Sequence, residues 1–107
     1  MRVLGFDPGT ATTGYGVVDM NGARLRHVEH GIISTPPVET FEARLAMIFA
    51  DAQRLIAAHQ PDFVSIEKLY FVQNITTGIA VAQARGVLAL AAAQAGRPIG
   101  EFTPLEV

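Results

Sequence analysis

The stretch Arg2-Val3-Leu4-Gly5-Phe6-Asp7-Pro8-Gly9-Thr10 decides the fold. Residues 2–6 form an apolar run without polar alternation, the pattern of a central strand buried on both faces. Asp7 is the first polar side chain after that run, and Pro8-Gly9 forces a turn behind it. Open α/β sheets place their ligands at the carboxyl ends of such strands. The plainer alternative is an Asp that merely starts a turn, and position alone leaves the two readings even.

Working outward, residues 7–14 read as turn chemistry and Tyr15 to Met20 as a second strand. Asn21-Gly22 is a strong hairpin signal, because both residues tolerate positive φ. Residues 23–34 return as a third strand, with Leu25, His27 and Glu29 on the face opposite to Arg26, Val28 and His30. This part is an antiparallel meander with one face partly wet. Pro36-Pro37 breaks the chain, and Thr40 is the expected N-cap of a helix running to about His59. Phe41, Leu45, Ile48, Ala52, Leu55 and Ile56 recur on one apolar face of that helix, and Pro61 stops it. Phe63 to Glu67 is a fourth buried strand, and a strand–helix–strand crossover implies a parallel neighbour in one sheet. Residues 69–74 form a loop, and a second helix spans about 75–95, with Gly96 as its C-terminal cap. Arg97 to Phe102 is a fifth strand, and Thr103-Pro104 opens another helix. The expected architecture is an α/β mixed sheet in the order 3-2-1-4-5 with helices on both faces.

The chain has 107 residues, enough for one domain with a real core. Half of the residues are hydrophobic and 17% are charged, which excludes a disordered chain. Cys is absent, so disulfides, thiolate metal sites and Cys nucleophiles are excluded. A net charge of −2 argues against a nonspecific cationic coat for nucleic acid but leaves room for a local basic patch. No apolar run approaches the ~20 residues that span a bilayer. The N-terminus is too briefly apolar for a signal peptide, so the expectation is a cytoplasmic protein with no membrane partner.

Glu67 ends the fourth strand. If that strand lies parallel beside the first, Glu67 and Asp7 stand about 4.8 Å apart, the ordinary strand spacing. Two carboxylates that close repel unless a proton or a cation sits between them, and a hard ion such as Mg²⁺ suits an all-oxygen site. The alternative partners for Glu67 are Lys68 and Arg85 on a solvated rim. No phosphate-cradling glycine loop is present. His27, His30 and His59 share no metal spacing and read as structural or surface groups. Ser34 and Ser65 have no neighbouring base. Tyr70-Phe71 follows Glu67 in a loop: one ring reads as a plug under the second helix, the other as a ring that stacks on an unpaired base. Gln73 and Asn74 offer amides to base edges or sugar-phosphate, with Asn74 equally readable as a helix N-cap. Arg85, inside an apolar helix, either snorkels to the surface or contacts a phosphate. Gly78, Ala82 and Gly86, with Leu90 nearby, form a small-residue ridge for close packing on the sheet or on a partner.

Taken together, Gly5-Phe6-Asp7-Pro8-Gly9-Thr10, Thr13-Gly14-Tyr15-Gly16-Val17-Val18, Ile66-Glu67 with Tyr70-Phe71 and Asn74, and Gln83-Ala84-Arg85-Gly86-Val87 resemble the RuvC family of Holliday junction resolvases. The resemblance runs in order along the whole chain. It implies a single ribonuclease-H-like domain over residues 1–107 that lacks the family's C-terminal part. It further implies a homodimer acting on four-way junction DNA in recombination and repair, with branch-migration helicase proteins as partners. The implied chemistry is two-metal-ion phosphodiester hydrolysis with Mg²⁺, or alternatively Mn²⁺. Asp7 would bridge both ions and Glu67 would hold one; the family's other two metal ligands have no counterpart here. Tyr70 takes the place of the family's junction-wedging aromatic, with Phe71 beside it. Competing readings are a catalytically inactive dimerising module, a related ribonuclease-H-like nuclease acting on RNA, and an actin-like phosphotransferase, which length disfavours.

Overall fold

The computed structural model describes residues 1–67 and 75–101. They form β1 (Arg2–Asp7), β2 (Thr12–Asn21), β3 (Arg24–Ser34), α1 (Phe41–His59), β4 (Phe63–Ile66), α2 (Ile75–Gln94) and β5 (Ile99–Glu101). The sheet order is β3-β2-β1-β4-β5. β1 pairs antiparallel with β2, and β2 antiparallel with β3. β1 with β4, and β4 with β5, are parallel. The expected strand order and mixed directions are therefore present. Phe102 and the helix expected from Thr103-Pro104 lie outside the described residues.

The expectation of helices on both faces is met on one face only among the described residues. Leu4, Phe6, Val17, Ile33, Val64 and Ile66 form the buried side of the sheet, and Ile48, Ala52, Leu55 and Ile56 of α1 join them there. Ala84, Leu88, Ala91 and Ala92 of α2 join the same core. The reason is topological. The crossovers β3-α1-β4 and β4-α2-β5 both advance across the sheet in one direction, and right-handed crossovers that advance the same way land on the same side. The opposite face carries Gly5, Asp7, Gly14, Gly16 and Ser65, and no described helix covers it.

Local chemistry explains the element ends. Thr40 Oγ1 accepts from the Ala43 N–H at 3.2 Å and caps α1. Gln60 ends that helix in the left-handed region, with φ 50°, and fully buried Pro61 follows. At the end of α2 the Arg97 N–H donates to the Ala92 carbonyl and the Gly96 N–H to the Ala93 carbonyl, both at 3.0 Å. That paired pattern needs Gly96 at φ 69°, a conformation free of penalty for glycine. β2 starts at Thr12, earlier than the expected Tyr15, because Thr12, Thr13 and Gly14 pair with Ser34, Ile33 and Ile32. Cross-strand partners there outweigh the turn preference of the residues. The hairpin loop is Gly22-Ala23, with positive φ at Gly22 alone, so Asn21 belongs to the strand.

One correction concerns β3. Val17 pairs with Glu29 and Val18 with His27, so Val28 is an extra residue in a β-bulge. Beyond the bulge the alternation changes phase. Glu29 lies on the helix-covered face, where His59 Nε2 meets Glu29 Oε2 at 2.7 Å. His30 shares the open face with His27, contrary to the expected alternation.

The two sides of α2 differ sharply: Leu88 is fully buried whereas Leu90 is 49% exposed. Leu88→Ala is expected to destabilise the protein by about 2–5 kcal/mol, as buried Leu→Ala changes do. Leu90→Ala is expected to cost less than about 1 kcal/mol. Urea denaturation midpoints for the two variants check this.

Candidate active site

Asp7 closes β1 opposite Gly14 and is exposed. Glu67 lies one residue beyond β4, and its N–H donates to the Phe6 carbonyl at 3.0 Å, extending the parallel ladder by one step. That bond fixes Glu67 beside Asp7 on the open face. Asp7 and Glu67 are therefore neighbours across the parallel pair β1 and β4, one step past Phe6 and Ile66. The Glu67 carboxyl is raised above its ordinary value, first by hydrogen bonding with Asp7, then by burial, then by the Asp7 charge. Two carboxylates this close repel unless a proton or a cation lies between them.

An open trough of about 360 Å³ runs up to this pair, and Gly5, Gly14, Gly16 and Ser65 are among its lining residues. Gly16 leaves the backbone of β2 uncovered, since a Cβ there would meet nothing within 4 Å. At Gly5 a Cβ would sit 3.0 Å from Ser65 Oγ, so the hydroxyl already fills the space over that glycine.

The loop behind Asp7 is bound on several sides. Thr13 is fully buried, and its Oγ1 donates to the Gly9 carbonyl at 2.6 Å while accepting the Gly9 N–H at 3.3 Å. A Cβ on Gly9 would lie 2.3 Å from the Thr12 carbonyl oxygen, so only glycine allows this closure. Thr35 Oγ1 donates to the Thr10 carbonyl at 2.6 Å and accepts Arg44 Nε–H at 2.8 Å. Arg44 Nη2 also donates to the Thr35 carbonyl at 3.3 Å. Thr10 Oγ1 reaches the Ala80 carbonyl of α2 at 3.5 Å. A hydroxyl from β2, another from the residue just past β3, a guanidinium from α1 and a carbonyl from α2 thus hold the turn that follows Asp7.

Of the residues singled out in the sequence, Asp7 and Glu67 are brought together. Tyr70, Phe71, Gln73 and Asn74 lie outside the described residues. Arg85 is half-buried on α2 with partners of its own, and it is not among the residues lining the trough. Ala82 and Gly86 are exposed, so the small-residue ridge of α2 faces away from the core. Sequence reasoning missed Thr13, Thr35 and Arg44. Their only signal is a pair of threonines at the ends of paired strands, which nothing local distinguishes from ordinary β-formers. Among the described residues no group of three or more His, Cys, Asp or Glu side chains is placed to hold a metal ion.

The family model for crossover junction endodeoxyribonuclease RuvC matches residues 3–107. The crossover junction endodeoxyribonuclease RuvC of Rubrobacter xylanophilus is 50% identical over 105 residues, covering 98% of this chain and 59% of the relative. The Brevibacillus brevis protein of the same name is 49% identical over 107 residues, covering 100% of this chain and 64% of the relative. The chain thus spans about three fifths of the length of these curated relatives. Among solved structures, Thermus thermophilus RuvC in complex with a Holliday junction substrate superposes with a TM-score of 0.90 at 30% identity, covering 97% of this chain and 64% of that one. The yeast mitochondrial Holliday junction resolvase, with a TM-score of 0.71 at 15% identity, shares the fold.

The Glu67 carboxyl carries a testable sign. A group held above its ordinary value binds its proton more tightly in the folded chain than in the unfolded one. Its contribution to stability is present below the ordinary value and is lost as pH rises through the raised one. Glu67→Gln removes that loss. The melting-temperature gain of Glu67→Gln over the natural chain is expected to grow from about pH 4 to about pH 7.5, as read by scanning calorimetry.

Proposed function

The chain belongs to the RuvC family of crossover junction endodeoxyribonucleases, and from that premise we propose that the whole protein resolves four-way DNA junctions by hydrolysing a phosphodiester. The observation that carries the proposal is the contact of Asp7 with Glu67 at the carboxyl ends of two adjacent parallel strands. This chain supplies those two acids, and the remaining ligands belong to the part of the family's length that it does not span.

Nucleases of this family depend on divalent metal. The residues present fit such an ion: two hard oxygen donors converge at the ends of adjacent strands, and the nearby Asp7 raises the Glu67 carboxyl above its ordinary value. Asp7 and Glu67 would hold it, with Mg²⁺ the preferred ion and Mn²⁺ an alternative. When bound, it supplies positive charge against the phosphodiester as negative charge accumulates there. Asp7 presents a carboxylate from the end of a paired strand, so its backbone does not drift. A cation held there would favour the ionised form of Glu67. The ties from Thr13, Thr35 and Arg44 keep the turn behind Asp7 from opening when DNA bears on it.

The segment after Glu67 completes the reading. Tyr70 follows Glu67 by three residues, within reach of a base next to the cut phosphate. In this reading Tyr70 stacks on an unpaired base with Phe71 beside it, and Gln73 and Asn74 are amide contacts to base edges or sugar-phosphate. Arg85 of α2 offers a contact to a phosphate in the same reading. A homodimer forms through the outward ridge of α2, where Ile79 is 56% exposed and Ala82 and Gly86 are open. Branch-migration helicase proteins as partners and a cytoplasmic location follow from the same family reading. No described helix is long and apolar enough to cross a membrane.

The test is cleavage of a synthetic four-way junction by the full-length protein with and without Mg²⁺. Asp7→Asn is expected to abolish cutting and leave junction binding in place; cutting at the natural rate would overturn the proposal, and failure of the natural protein to cut would favour an inactive dimerising module. Tyr70→Ala is expected to slow single-turnover cleavage strongly while weakening binding by less, since one stacked base is worth about 1–3 kcal/mol and backbone charge contacts hold the junction regardless. Gel-shift titration beside single-turnover kinetics reads both. For the dimer, Ala82→Trp is expected to shift the sedimentation profile from two copies to one.

A further inference from the structure

β3 carries two histidines that the function above does not use. His27 and His30 are both exposed on the open face of the sheet. In an unbroken strand, residues three apart point to opposite faces. The extra residue Val28 changes the phase and returns both rings to one side. His27 Nε2 and His30 Nδ1 stand 2.8 Å apart, with ring centroids separated by 4.9 Å and planes tilted by 52°.

Each neutral imidazole carries one N–H and one lone pair, so this contact needs one facing nitrogen to donate. If the donor ring moves that hydrogen to its outer nitrogen, both facing nitrogens present lone pairs to the same small volume. Nitrogen ligands at roughly 2.0–2.1 Å from a divalent ion lie about 2.9 Å apart when they occupy adjacent corners of a square or octahedron. At a tetrahedral ion they lie about 3.4 Å apart. The observed 2.8 Å is the length of a hydrogen bond and also lies near the 90° spacing, so an ion could replace the bridging hydrogen with little movement of either ring. Space for the ion and its waters is present as well: Gly16 is the partner of His30, and a Cβ built there would meet nothing within 4 Å.

We propose that His27 and His30 form a two-nitrogen site for a divalent ion with 90° ligand angles, Ni²⁺ or Cu²⁺, on the open face of β3. Imidazole donors select these ions, whereas Mg²⁺ seeks hard oxygen. The site is separate from the carboxylate pair. Asp7 lies two strands over and two residues along, roughly 12 Å away by ordinary sheet spacings, too far to share an ion. Glu29, between the two histidines, points to the other face and bonds His59. The remaining coordination positions belong to water.

The experiment is isothermal titration of NiCl₂ into the full-length protein, with Mg²⁺ in excess so that oxygen sites are filled. One site is expected, weakened at least about tenfold in His27→Ala and again in His30→Ala, and retained in Asp7→Asn. A copper titration followed by electron paramagnetic resonance should show hyperfine structure from two nitrogens, reduced to one in either variant. Circular dichroism of both variants confirms the fold, and His27→Gln repeats the test with a polar side chain. Isotherms that match the natural protein in both histidine variants, loss of the site in Asp7→Asn, or no binding up to about 1 mM would each overturn the proposal.

Discussion

The parallel pairing of β4 against β1 sets two carboxyl groups a strand's width apart, and much of the surrounding structure answers to that contact. Like charges at this range oppose folding. The backbone bond from Glu67 to Phe6 removes the freedom with which the pair would separate. The neighbouring Asp7, together with burial, raises the Glu67 carboxyl above its ordinary value. The backbone ladder, and not an ion, sets where both acids stand, so a cation that bound them would find its donors in place.

The same economy runs through the turn after Asp7. A hydroxyl that both donates and accepts, at Thr13, closes the loop on itself. Thr35 then ties the loop to α1 through Arg44, and Thr10 ties it to α2. The helices lie behind the sheet, yet they brace its front edge through this relay. Burial of Leu88 and Ile48 thereby contributes to the position of an exposed aspartate that neither residue touches.

The sequence made the strand order legible because crossover handedness leaves few alternatives once a long helix separates two apolar runs. Asp7 and Glu67 were legible for a related reason: each is the first acid after a buried strand. The side on which the helices lie was not legible without following the direction of both crossovers together. The bulge was invisible, since Val28 is an ordinary β-former and nothing in Arg26-His27-Val28-Glu29 marks an extra residue. The role of Arg44 was hidden because its partner Thr35 is nine residues away, beyond a Pro-Pro break.

β3 is an edge strand of eleven residues, with Leu25 56% and Ile32 65% exposed on its open face. An edge of that length, flat and apolar, would template the strand of another molecule. Val28 divides it into two shorter lengths whose hydrogen-bonding groups do not keep a common register. Arg24 and Arg26 charge the first length, and Gly31 interrupts the second. An incoming strand that aligned with one length would be out of step with the other. The kink that sets two imidazoles side by side therefore also guards the molecule against growing its sheet into a neighbour's.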